Sequence, residues 1–174
     1  MRITAGIFGV VALLAMTGTA QAETLRFHAT LGGKAEPTTT NSTATGTARI
    51  RVDTVTQRVS VDLTIKGIKV DALWSRLVKG PIGPIHFHEY VAQPGKPDDV
   101  VLVLPVPYGA TYQATRDGFR VRMKDYDYTA GAKLLESTAS FEHFIAAMRG
   151  GHVVLNVHTN RFTDGEISGL VAAG

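Results

Sequence analysis

His86-Phe87-His88 puts two imidazoles at alternate positions, and His158 brings a third at the end of an alternating segment much further along the chain. Alternate residues of a strand share a face, so His86 and His88 project together. Neutral imidazole nitrogens are good ligands for divalent transition metals, and a pair on one strand needs one more from a neighbour to make a tight site. His158 is the leading third ligand, followed by His152 and His28. Within 152–158, His152, Val154, Asn156 and His158 share a face opposite Val153, Leu155 and Val157. The polar neighbours Glu89, Asn156 and Glu166 are candidates to orient these rings, as outer partners of metal-bound histidines do. Glu89 can equally be a ligand or a solvated strand charge, and Glu166 with Asp164 can equally serve the turn at Thr163-Asp164-Gly165-Glu166. His143 reads as a surface residue. The competing account is that the rings bond backbone carbonyls and carboxylates, tying strands together without a metal.

The chain has no cysteine, so thiolate chemistry is excluded and any metal shell is built from nitrogen and oxygen. For such a shell Cu(II) is the strongest binder among common divalent ions, with Zn(II) the second choice. No nucleophile elbow, phosphate loop or paired-carboxylate motif is present, so no motif supports an enzyme.

The elements that must carry these residues are strands. From Glu23 onward apolar residues recur with period two, separated by Gly, Pro, Asn and Asp, which predicts an all-β fold. Leu25, Phe27, Ala29 and Leu31 line one face of a first strand. Ala48, Ile50, Val52 and then Val59, Val61, Leu63, Ile65 make two more, joined as a hairpin around residues 53–58. Residues 34–46 read as a polar surface loop or a linker. Residues 70–84, carrying Trp74, read either as a helical turn or as an irregular insertion. A strand at 85–90, a turn at 94–98 and an apolar run at 100–106 follow, the last continuous enough to be buried on both faces. Tyr108, Tyr112, Tyr126 and Tyr128 can line a recognition surface, although the alternate spacing of the last two favours half-buried strand positions. Ser140 caps one short helix from Phe141 to Arg149, with Gly150-Gly151 as its stop.

Residues 1–22 read as an export signal: Arg2, a short apolar run from Ile7 to Met16, and Ala20-Gln21-Ala22 before the cut. Cleavage there leaves residues 23–174, a length that suits one domain. No later segment approaches ~20 consecutive apolar residues, so no membrane span is expected once the signal is cleaved. A periplasmic or secreted location follows from the signal. The net charge of +3 falls to +2 without Arg2. The basic residues are scattered along the chain, so no nucleic-acid footprint is expected.

Several of these segments, in order, resemble the CHRD domain family, first named from chordin and frequent in exported bacterial proteins. The resemblance rests on Leu31 to Pro37, Thr43 to Ala48, His86-Phe87-His88, Leu155-Asn156-Val157-His158-Thr159 and Gly165-Glu166-Ile167-Ser168-Gly169. Ser168 stands where the family usually has Arg, and Glu89 to Gln93 replaces a Gly-rich stretch. His86-Phe87-His88-Glu89 is also similar to the His-Val-His-Glu strand that supplies two copper ligands in Cu/Zn superoxide dismutases. Together these resemblances imply an antiparallel Greek-key-like β-sandwich, immunoglobulin-like or superoxide dismutase-like, with a metal at a sheet edge. Joined to the nitrogen-only shell, they give an exported CHRD-type protein that binds a metal ion, copper favoured, through its histidine cluster. The alternatives are a metal-free module that docks an exported protein partner and a superoxide dismutase-like redox enzyme.

Overall fold

The computed structural model describes residues 23–35, 39–90 and 100–174. The export signal, Glu36-Pro37 and the turn at 94–98 lie outside the described residues.

β1 (Thr24–Gly32), β2 (Thr45–Asp53) and β3 (Arg58–Lys66) form an antiparallel meander. Burial alternates residue by residue along β1 and β2, because one face meets the core and the other meets water. The expected hairpin is present: the Asp53 carboxylate accepts the amides of Val55 at 3.0 Å and Thr56 at 2.8 Å, and Gln57 takes a φ of 53°. Residues 70–84 contain a 3-10 turn (Val70–Ala72) and α1 (Ser75–Val78). β4 (Ile85–Tyr90) and β5 (Val100–Val106) follow, then β6 (Tyr112–Ala114), β7 (Gly118–Asp127) and α2 (Tyr128–Leu134). α3 (Phe141–Arg149), β8 (Val153–Val157) and β9 (Ile167–Ala173) complete the chain.

The fold is all-β and antiparallel, in the order β5-β4-β8-β9-β1-β2-β3-β7-β6. Backbone hydrogen bonds join these strands into one curled sheet where the sequence led us to expect a two-sheet sandwich, because β9 pairs with both β8 and β1. One face carries the core, including Phe27, Ile50, Leu63, Phe87, Leu155 and Val171. α3 closes that core as expected. The Ser140 hydroxyl accepts the His143 amide at 3.1 Å, and Phe141, Phe144, Ile145 and Met148 point inward. Phe144 packs edge-on to Phe87 at 6.4 Å and stacks on Tyr128 at 5.0 Å, each such buried ring contributing about 1.5–3 kcal/mol.

Among the described residues three α-helices stand where one was expected. α2 is too short to show a recognisable apolar stripe; it is capped by Asp127, which accepts the Ala130 amide at 2.9 Å. Tyr128 is therefore buried at the start of α2 and is not a half-buried strand residue. β5 is an edge strand with Val101 41% exposed, so its apolar run does not mean burial on both faces. The edge position also accommodates Pro105, which has no amide to give a further strand.

Candidate metal centre

β4 and β8 are neighbours, with His86 directly opposite Asn156 and His88 opposite Val154. Residues paired across an antiparallel ladder share a face, so Ile85, Phe87, Leu155 and Val157 enter the core while His86, His88 and Asn156 face the other way. On the far side of β4 a bulge leaves Val103 as the extra residue between the partners of Phe87 and His88. Such irregularities commonly sit beside functional sites, where they re-aim a side chain.

His158 follows the last residue of β8 and turns its ring onto this pair. Its Nδ1–H donates to the Thr163 carbonyl at 2.7 Å, which leaves the Nε2 lone pair for the cluster. Nε2 lies 3.2 Å from His86 Nδ1. The ring centroids are 4.9 Å apart for His86 and His158, 5.7 Å for His86 and His88, and 5.8 Å for His88 and His158. One nitrogen from each ring falls within 4.8 Å of the other two. Metal-to-nitrogen bonds of about 2.0–2.1 Å place two ligands of one ion roughly 3–4 Å apart, so a small contraction of the trio accommodates an ion.

The electrostatics suit ligands. Burial pushes the pKa of His86 down to about 4 and that of His88 down to about 3; the neighbouring imidazoles add to both effects, and for His86 the Gly83 backbone pulls the other way. Burial also lowers His158, against the opposing pull of the Thr163 carbonyl and the Asp164 charge. At neutral pH all three rings are therefore uncharged with lone pairs available. His86 Nε2 and His88 Nε2 are buried with no hydrogen-bond partner. An unsatisfied buried polar atom is costly, and a metal bond is one way to satisfy it.

The 70–84 segment covers the site. His158 donates its amide to Pro84 and takes the Trp74 amide on its carbonyl, at 2.9 and 3.1 Å. Asn160 clasps the same segment, accepting from the Ser75 amide at 2.9 Å and donating to the Leu73 carbonyl at 3.0 Å. The Trp74 ring centroid lies 6.3 Å from that of His158. Trp74 and Thr163 were not anticipated as neighbours of the cluster. The only signal in the sequence was a lone tryptophan in an unassigned insertion.

Other candidates lie elsewhere. His152 shares the face of His158 but sits at the opposite end of β8, about 20 Å away at strand rise; it is exposed, with its ring against Gly150. His28 is exposed on β1 opposite Arg49. Glu89 points to the opposite face of β4 and binds His143 of α3, at 2.7 and 3.0 Å. His143 is thus a partner to a buried carboxylate and more than a surface residue. Glu166 accepts the hydroxyls of Ser42 and Thr159, both at 2.7 Å, and so fastens the 39–44 loop to the end of β8. That loop is an ordered strap, not a linker. Asn156 forms no hydrogen bond to the imidazoles. Its carboxamide donates to the Asp164 carbonyl at 3.1 Å and accepts from Ser168 at 3.3 Å, which holds the turn that presents Thr163 to His158.

An all-antiparallel curled sheet with a histidine trio on its non-core face, His86 and His158 buried and His88 partly so, defines the architectural class. A family model for the CHRD domain matches residues 27–171, most of the chain, and the protein belongs to the CHRD domain family. No curated protein and no solved structure gives a significant match. The structure accounts for the Gly-Glu-Ile-Ser-Gly run physically. Gly165 has φ of 125°, Glu166 binds two hydroxyls, Ile167 is core, and a side chain at Gly169 would collide with the Thr30 carbonyl.

Proposed function

We propose that this chain is an exported metal-binding protein that holds copper, with zinc as second choice, through His86, His88 and His158. The observation that carries this reading is the pair of buried, unpartnered nitrogens on His86 and His88 beside the unprotonated Nε2 of His158. Three neutral nitrogen donors without thiolate favour Cu(II) over Zn(II) by the usual order of divalent affinities. A copper ion bound there would supply a Lewis acid or a redox centre. The chain's own residues hold the donors still: Thr163 fixes the ring of His158, Asn156 holds the turn that carries Thr163, and the Trp74 segment lies over the cluster. The leader-like segment 1–22 and the family's occurrence in exported proteins support a periplasmic or secreted location. Among the described residues no helix is long and apolar enough to cross a membrane.

The 3.2 Å contact between His86 Nδ1 and His158 Nε2 favours a second reading, in which the rings hydrogen-bond to each other in a metal-free interaction module. Calorimetric titration of the chain from Glu23 with Cu(II) and Zn(II) separates the two. Tight one-to-one binding that disappears when His86, His88 and His158 are all alanine supports the metal reading. No binding, or equal binding by the triple variant, overturns it and leaves the module.

A further inference from the structure

The basic residues that look scattered along the chain converge on the exposed, non-core face of β1, β2, β3 and β7. Arg26, Arg49, Arg51, Arg122 and Lys124 all project there, and with His28 and Asp62 they line a groove of about 550 Å³. Arg26 lies directly opposite Arg51 on the neighbouring strand, and His28 lies opposite Arg49. Asp62 is flanked by Arg49 and Arg122, yet none of these five cations forms an ion pair among the described residues. Among the described residues the groove therefore holds five unpaired cations against one acidic side chain.

The fold does not require this. Like charges set directly across a ladder are destabilising, and an outward strand position is equally served by Thr or Ser. The array repeats about every 7 Å along a strand and about every 5 Å between strands, which suits a ligand with several regularly placed anions. Guanidinium groups match the planar, two-oxygen edge of carboxylate and sulfate. Among the described residues the groove offers no exposed aromatic ring for stacking, since Phe27 is buried beneath it, and sequence-tolerant binding of single-stranded nucleic acid relies on such rings. A planar bilayer meets only the rims of a concave surface.

We propose that this groove binds an acidic polysaccharide, a flexible chain bearing carboxylate or sulfate groups, independently of the histidine trio. The test uses the full chain from Glu23 with fluorescent polygalacturonate and dextran sulfate, and neutral dextran as the control. Binding to an acidic glycan should weaken steeply with added salt. It should fall at least about tenfold in the double variant Arg26→Ser/Arg51→Ser, whose melting temperature stays equal or rises as the facing charges go. Asp62→Asn should tighten it, which keeps the test decisive if the double variant misfolds. No binding of either acidic glycan at low salt, or equal binding by the double variant, overturns the proposal. So does tighter, variant-sensitive binding to duplex DNA or to phosphatidylserine vesicles, which would assign the face to that partner instead.

Discussion

His143 Nε2 on α3 donates to the carboxylate of Glu89 on β4, at 2.7 and 3.0 Å, from the core side of the sheet. The carboxylate is 8% exposed and the imidazole 56%, so the helix supplies the partner that a buried acid needs. Replacing His143 by Ala leaves that acid without this partner, and the expected loss is about 1–3 kcal/mol in urea unfolding. Copper affinity should be unchanged, because the histidine trio lies on the opposite face. A variant as stable as the parent, or one that loses copper, contradicts this arrangement.

His88 carries a buried nitrogen without a partner, so it costs the metal-free fold more than a similar apolar side chain would. His88→Leu should therefore leave the metal-free chain equally or more stable while abolishing tight copper binding. Thermal melts with and without Cu(II) read both effects. The parent should gain stability with the ion by mass action, and the variant should not. Copper-dependent stabilisation that survives in the variant would remove His88 from the site.

The lowered imidazoles give the metal-free chain a specific acid sensitivity. Between about pH 6.5 and 4, His86 and His88 stay neutral when folded but take up protons when unfolded. The unfolded state then binds more protons, so stability drops as pH falls through that window and levels off once the folded rings protonate. For His86 alone the full loss is about 3 kcal/mol. Urea midpoints at about pH 7 and about pH 4.5, compared with a His86→Leu/His88→Leu variant, isolate this from carboxylate titration. Equal slopes in parent and variant would rule it out.

Much of this was legible in the residues. The alternation in β1, β2 and β3 names its own buried face, and Ser140 with Gly150-Gly151 brackets α3, because each signal is local. That His86 and His88 share a face is also local. The pairing of β4 with β8 is not: it joins segments far apart in the chain, and period two says which way a side chain points without saying which strand lies beside it. The same gap hid the basic groove, since Arg26, Arg49, Arg51, Arg122 and Lys124 meet only through registers across four strands. The face of Glu89 was readable. Adjacent strand residues point oppositely, so its place next to His88 in the chain set it against α3. Helix α2 stayed hidden because its capping Asp127 precedes only two helical turns.

The turn after β8 ties the fold to the site. Gly165 has φ of 125°, and a Cβ built there would run into the Asn156 carboxamide. Gly165→Ala forces both a strained backbone and a displaced Asn156, at a cost of about 1–3 kcal/mol. The same displacement moves the turn whose Thr163 carbonyl holds His158 Nδ1, so copper affinity should fall along with stability. Asn156→Ala removes the group that the added methyl would strike, so combining the two changes should cost less than their sum. Calorimetry and urea unfolding of the parent, the two single variants and the double variant measure the coupling. Strictly additive losses, or a destabilised Gly165→Ala chain with parental copper affinity, would separate the turn from the histidine trio.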